Sequence, residues 1–333
     1  MENKENIQSY TPKVSVIIAT FNRAESLRSC LESLIRQTYK NFEVIIVDGG
    51  SIDNTKEVIN LFSKELDIAL ITERRLWLSL VRDLGWRNAR GEIISWIDDD
   101  VVVTDNWIEE VIKVFNISHD IGGVSGPTII PKDRLDYRDI FILHNDKKGI
   151  LWKIIAKIYR DFFLEGKPYA IGQIFRCGAW SPGSNFVSCL NLDGLTNVDY
   201  LEACNMSFRK SLVERVDGFD QNFRSVSEWC EVDLSFKIRK LGYRLVFNPK
   251  AVIHHIVSQT GIYKKRTFAY DRMLNFIYFY LKDIRLDSLN KAIRFSLYLL
   301  FLNVYWLYKF IKTKNINWLT GLLGTLSGLI KYI

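Results

Sequence analysis

Three stretches of this chain are almost continuously apolar and rich in β-branched residues: Lys13-Val-Ser-Val-Ile-Ile-Ala-Thr, Phe42-Glu-Val-Ile-Ile-Val and Glu92-Ile-Ile-Ser-Trp-Ile. A strand wetted on one side alternates polar and apolar residues, whereas an unbroken apolar run must be covered on both faces. Between these runs lie segments with helical spacing. Leu27, Cys30, Leu31, Leu34 and Ile35 recur at that spacing over 23–37, and Val58, Ile59 and Phe62 share a face over 54–66. A short strand over 68–71 and a helix over 79–89 complete the alternation. Strands and helices joined by short links predict a parallel α/β sheet with right-handed crossovers. Ligands of such sheets sit at the carboxyl ends of the strands. Asp48 closes the second run and Asp98-Asp99-Asp100 the last, so both fall on one edge.

After about residue 130 the alternation stops. Over 151–163, Leu151, Ile154, Ile155, Ile158, Tyr159, Phe162 and Phe163 face one way, and Lys153, Lys157 and Arg160 the other. This amphipathic helix either packs on the core or faces a membrane or an acceptor. Residues 199–258 return to α/β character, with strands expected over 244–247 and 251–256. The tail, 268–333, is helical in pattern. Residues 295–308 and 316–330 carry no charge, but neither reaches the ~20 residues a spanning helix needs, and Lys309, Lys312 and Lys314 divide them. Interfacial or re-entrant helices on the cytoplasmic face of the membrane are expected. The alternative is a helical subdomain packed on the catalytic core or on a second copy of the chain.

Charge follows the same division. The chain has 45 Lys/Arg against 38 Asp/Glu, a net charge of +7. From residue 260 onward, twelve Lys/Arg face three Asp and no Glu, a local +9 that leaves −2 for the rest. A basic excess confined to the greasiest segment favours an anionic membrane surface and excludes a globally basic nucleic-acid binder. At 48% hydrophobic and 25% charged residues the chain is neither disordered nor low-complexity, and it shows no glycine period or internal repeat. Five cysteines (Cys30, Cys177, Cys189, Cys204, Cys230) lack any CxxC spacing, which disfavours a zinc cluster. Their odd number and the polar leader 1–12 point to a reducing cytosol.

The aspartate triplet is the sharpest chemical feature. Three adjacent carboxylates repel one another unless a cation relieves them. Alternation puts Asp98 and Asp100 on one side and Asp99 on the other. Carboxylates suit Mg2+ or Mn2+, with diphosphate oxygens completing the shell. There is no GxxxxGK[ST] phosphate loop, no GxGxxG after the first strand and no GxSxG elbow, so kinase, dehydrogenase and hydrolase readings lose support.

Taken together, Val14-Ser-Val-Ile-Ile-Ala-Thr-Phe-Asn-Arg, Gln37-Thr-Tyr-Lys-Asn-Phe-Glu-Val-Ile-Ile-Val-Asp-Gly-Gly-Ser and Ala89-Arg-Gly-Glu-Ile-Ile-Ser-Trp-Ile-Asp-Asp-Asp resemble the family 2 glycosyltransferases of the GT-A fold. The resemblance continues through Cys204-Asn-Met-Ser-Phe-Arg-Lys, Val216-Asp-Gly-Phe-Asp and Glu231-Val-Asp-Leu-Ser-Phe-Lys. It implies a Rossmann-like, mostly parallel sheet flanked by helices over 13–258, with a donor half (13–130) and an acceptor half (131–258). A basic, hydrophobic helical tail (259–333) follows.

By the same resemblance, Ala19, Thr20, Phe21 and Asp48 would hold the nucleotide base and ribose. Arg82 and Asp99 would stand near the donor, and Asp98, Asp100 and His255 near the metal, Mn2+ or Mg2+, with Asp100 its direct ligand. The segment at Glu231 matches the catalytic-base motif, with Glu228 and Asp233 as alternatives and Glu228 and Trp229 on the acceptor side. The loop Trp180-Ser-Pro-Gly-Ser is a further candidate for lining the acceptor site. Three departures stand out: Asp48-Gly49 replaces a common aspartate pair, Asp83 replaces a common asparagine, and Cys230-Glu231 replaces Glu-Asp. The QxxRW motif of processive synthases is absent, so transfer of a single sugar is expected.

The chemistry agrees. Displacing a nucleoside diphosphate needs a Lewis acid for the leaving group and a carboxylate to take the acceptor proton. A single carboxylate opposite the leaving group inverts the anomeric centre. The expected partners are a nucleotide-sugar donor and a lipid-linked or surface-glycan acceptor. The competing readings are a nucleotidyltransferase, which lacks its Gly-rich basic loop here, and a non-catalytic sugar- or membrane-binding protein of the same fold.

Overall fold

The computed structural model describes residues 13–74, 77–131, 149–181, 183–225, 228–257 and 269–332. The leader 1–12, Pro182 and the Leu151 side chain lie outside the described residues. Strands β1 (Val14–Thr20), β2 (Phe42–Asp48), β3 (Ile68–Thr72) and β4 (Ile93–Asp98) run parallel in the order β3-β2-β1-β4. Helices α1 (Ala24–Ile35), α2 (Thr55–Phe62) and α3 (Leu78–Arg87) connect them. Every residue of β2 is buried, whereas β3, on the sheet edge, is half exposed. That difference is why the third strand gives the weakest apolar signal.

Next come β5 (Val101–Val103), α4 (Trp107–Ile117), β6 (Ile121–Ser125), β7 (Thr128–Ile129) and α5 (Ile150–Ile158), which a π-helical turn (Tyr159–Phe163) prolongs. They are followed by β8 (Thr196–Val198), β9 (Asn205–Arg209), α6 (Lys210–Arg215), α7 (Cys230–Lys240), β10 (Arg244–Phe247) and β11 (Ile253–His255). The main sheet extends as β4-β9-β6-β10-β8, and β5-β11-β7 form a second, smaller sheet. β9 runs antiparallel to β4 and β6, and β8 to β10, so the sheet is parallel in its first half and mixed beyond. The strand expected over 251–256 shrinks to Ile253–His255, with the Ala251 carbonyl accepting from Asn205 Nδ2 at 3.0 Å.

Alternation along β1 sends Val16 and Ile18 into a core under α1, α2 and α4, and Ile17 into an opposite core with Trp96, Met206 and Phe208. A third core belongs to helices α8 (Ala269–Phe279), α9 (Leu289–Thr313) and α10 (Thr320–Tyr332) together with the 150–186 segment. Phe163 and Phe175 meet Phe276, Tyr280, Phe295 and Trp306 there. Large side chains buried this way contribute about 1.5–3 kcal/mol each. The tail therefore packs on the catalytic half through one face, and no helix of the described residues is long and apolar enough to cross a membrane.

Candidate active site

Register assembles the site. Thr20 pairs with Asp48 across β1 and β2, Ala19 with Asp98 across β1 and β4, and Val101 with His255 across β5 and β11. Carboxylates 50 residues apart in sequence thus share one sheet edge.

Asp48 is fully buried. Its Oδ1 accepts from the Ser51 backbone N–H (2.9 Å) and hydroxyl (2.6 Å), while Oδ2 has no hydrogen-bond partner among the described residues. Phe21 lies over Gly49, where an added Cβ would come within 3.2 Å of its ring. Gly50 follows at φ +87°, a left-handed conformation that glycine adopts freely. Thr20 Oγ1 donates to Asp99 Oδ2 at 2.8 Å. Ala19 is half-buried beside them.

Asp99 is buried beneath the turn, and burial lifts its pKa to about 7 although Arg23, 2.7 Å away, opposes the rise. Arg23 also binds Asp100. Sequence reading quoted Arg23 but gave it no role; in the structure it is the cation that lets two adjacent carboxylates be buried together. Asp98, Asp100 and His255 bring their donor atoms within 4.8 Å of one another. His255 Nε2 lies 3.1 Å from Asp100 Oδ1, and Nδ1 lies 3.9 Å from Cys204 Sγ. His254 points outward and is exposed, as neighbours on a strand must diverge. Two carboxylates and an imidazole form a donor set that suits Mn2+ and also accepts Mg2+, so the residues fit the expected ion.

Further along the chain, α7 begins directly after Trp229, whose φ of +80° is left-handed. Glu231 in its first turn lies 3.7 Å from Arg82 Nη1, which also donates to Cys230 Sγ at 3.3 Å. Burial pushes the Glu231 pKa upward, Arg82 pulls it back, and Glu228 and Glu202 add to the rise. Glu202 was not singled out from sequence. It accepts from Ser184 Oγ (2.8 Å) and Tyr200 OH (3.1 Å), and Ser184 belongs to the loop that follows Trp180.

The alternatives for the base separate. Glu228 precedes the helix, off the face that carries Glu231, and pairs with Arg272 of α8 at 2.5 Å. Asp233 is fully buried against Lys282, with Lys237 at 3.3 Å. Trp229 stacks on Phe279 at 5.1 Å and 17°, joining the start of α7 to the helical tail. Asp83 accepts from Trp86 Nε1 (2.6 Å) and the Phe219 N–H (3.0 Å), which ties it to local structure.

A mixed α/β sheet whose strand ends gather an aspartate cluster, flanked by helices and closed by C-terminal helices, is the GT-A glycosyltransferase architecture. The Glycosyl transferase family 2 model matches residues 15–176, a little under half of the chain, and that segment is similar to this family. The glycosyltransferase GlyA of Streptococcus pneumoniae serotype 4 is 36% identical over 103 residues, 30% of this chain and 15% of GlyA. Glycosyltransferase AglE of Haloferax volcanii is 34% identical over 112 residues, 32% of this chain and 37% of AglE. The chain thus matches little more than a third of these relatives at most. The mannosyltransferase PcManGT of Pyrobaculum calidifontis, solved with GDP-Man and Mn2+, superposes with TM-score 0.56 over 96% of this chain and 88% of its own, at 17% identity.

Proposed function

We propose that this chain transfers one sugar from a nucleotide-sugar donor to a hydroxyl of a lipid-linked or growing surface glycan, with inversion, at the cytoplasmic face of the membrane. The observation that carries the reading is the Asp98–Asp100–His255 cluster on the sheet edge that also holds Asp48; the Arg82–Glu231 pair supports it. The nucleotidyltransferase alternative has no such support from the family match, and an intact cluster with an intact Glu231 argues against a mere binder.

The unpartnered Oδ2 of Asp48 would accept an N–H of the donor base. A buried carboxylate oxygen left without a donor costs about 1–3 kcal/mol, so a ligand that supplies one is favoured. Phe21, Thr20 and Ala19 would border the base and ribose. A Mn2+ or Mg2+ held by Asp98, Asp100 and His255 would act as a Lewis acid toward the leaving diphosphate. Arg23, bridging Asp99 and Asp100, holds Asp100 in place, and Arg82 would offer a cation to the departing anion. Glu231 takes the acceptor hydroxyl's proton as that oxygen attacks the anomeric carbon from the side opposite the diphosphate, and the in-line displacement inverts the centre. The mannosyltransferase neighbour's GDP-Man and Mn2+ support this donor class.

A thermal-shift panel of UDP-, GDP-, dTDP- and CMP-sugars, each with and without Mn2+, tests the reading. Ligand at ~100-fold its Kd adds about 2.7 kcal/mol to the native state. One base class should stabilise the protein in a metal-dependent way, and Asp100→Ala should remove the metal dependence. No response to any nucleotide sugar overturns the proposal.

A further inference from the structure

Helix α9 is apolar on two sides. One side enters the third core through Phe295, Leu299, Leu302 and Trp306. The other, at the same helical spacing, presents Ile293, Leu297, Leu300, Val304, Leu307 and Ile311 to solvent, with Leu300 60% and Val304 57% exposed. Such a face on a protein surface marks an interaction site.

Its neighbours extend it. α5 lies antiparallel beside α9, with Trp152 on Tyr308 (5.3 Å), Tyr159 on Phe301 (5.5 Å) and Phe162 under Arg294 (4.5 Å). Turning from those contacts away from the core, α5 exposes Ile150, Ile154 and Ile158. On the other flank, the turn before α10 stacks Trp318 on Trp306 (5.4 Å), and α10 itself is held to α9 by Thr325 Oγ1 donating to Asn303 Oδ1 (3.0 Å). It buries Gly321, Gly324, Thr325 and Gly328 and leaves Leu323, Leu326 and Ile330 exposed. Together the three helices expose a mainly aliphatic surface.

The rim decides what covers it. α9 and α10 contain no acidic residue. Lys312 and Lys314 are exposed at the end of α9, Lys331 at the end of α10, and Lys153 and Lys157 beside the α5 stripe. Lys157 is paired with Asp161 at 2.7 Å. Lys309 lies over Trp318 at 5.0 Å and Lys312 over Tyr308 at 6.0 Å, aromatic–cation pairs of the kind that settle at a lipid–water boundary. A two-fold pairing of two such layers would set basic rims against each other with no acid on α9 or α10 to answer them.

We infer that the outer side of the α5–α9–α10 layer docks on an anionic lipid bilayer, lying in its interface without spanning it. The surface stands on its own geometry; only its use in meeting a lipid-linked acceptor rests on the transferase reading. α8 links layer and site directly, through Arg272 on Glu228 and Phe279 on Trp229.

The test is co-sedimentation of the full chain with phosphatidylcholine vesicles, with and without phosphatidylglycerol, at low and high salt. Binding is expected to require the anionic lipid and to weaken with salt. Leu300→Glu with Val304→Glu, both outside the core and the site, should reduce partitioning at least tenfold and leave the melting transition and the nucleotide-dependent thermal shift unchanged. Absence of binding to any vesicle overturns the inference, as does binding that the double variant leaves intact. A concentration-dependent dimer that the variant dissolves, without vesicle binding, assigns the face to a second copy instead. Vesicle binding without any nucleotide-sugar response would keep the docking surface and sink the transferase reading.

Discussion

Glu231, the base of the proposed transfer, sits where an ionised carboxylate is disfavoured, yet a base must be ionised to work. Burial raises its pKa, Arg82 limits the rise, and Glu228 and Glu202 add to it. The raised pKa shifts the acid limb of kcat/KM above the ordinary carboxylate range: activity is present above the shifted pKa and is lost as pH falls through it. A pH–rate profile with its acid limb at about pH 4, the model-peptide value for Glu, would contradict this assignment. Glu231→Gln should bind donor normally and lose transfer by ~10²–10⁴-fold. At Asp48 the expectation is different in kind. Asp48→Ala removes the unpartnered acceptor, so donor affinity measured by titration should fall ~10–100-fold, in line with one lost buried hydrogen bond, while kcat changes little. An unchanged donor Kd would remove Asp48 from base recognition. The aspartates were legible because their chemistry is carried by side-chain type and strand position, whereas His255 came from the family resemblance. Arg23 was not, because its partner Asp100 lies 77 residues away and only the register of β1 with β4 brings them together.

Among the elements, the first four strands could be read to within a residue, since a doubly covered strand writes its burial into a continuous apolar run, while the helix expected over 54–66 stops at Phe62. β9 was harder. Its antiparallel insertion between β4 and β6 is a matter of topology, and periodicity carries no sign of direction. The start of α7 escaped for a local reason: Trp229 takes up a left-handed conformation, an unusual one for a bulky residue, and resets the helical phase between Glu228 and Glu231. Behind α7, Lys282 binds both Asp220 (2.7 Å) and the fully buried Asp233. Burial opposes ionisation of Lys282, but Asp233 and Asp220 outweigh it and raise its pKa. Lys282→Met would leave Asp233 with only Lys237, and breaking a buried pair from one side costs about 3–5 kcal/mol. Urea denaturation should show that loss, with Lys282→Arg recovering much of it. A variant as stable as the parent would mean that Lys237 alone neutralises Asp233.

For the molecule as a whole, the composition change near residue 258 marks a change of character, but the third core crosses it. Tyr159, Phe163, Phe175 and Phe186 from the catalytic half are buried against Phe276, Tyr280, Phe295 and Trp306 from the tail. Arg272 and Lys282 reach back to Glu228, Asp220 and Asp233. A tail that merely anchored the enzyme could be removed without harm to the fold. This one supplies half of a hydrophobic cluster and the counter-charges of the helix that carries Glu231. Truncation after residue 258 would expose several large aromatics at about 1.5–3 kcal/mol each, a sum comparable to the 5–15 kcal/mol that typically separates folded from unfolded states. The fragment should therefore unfold without a sharp transition and bind ANS, whereas the full chain carrying Leu300→Glu and Val304→Glu should melt cooperatively like the parent. If the fragment melts sharply and still responds to nucleotide sugar, the catalytic half folds alone, and the third core is an interface between two domains, one of which can be dispensed with.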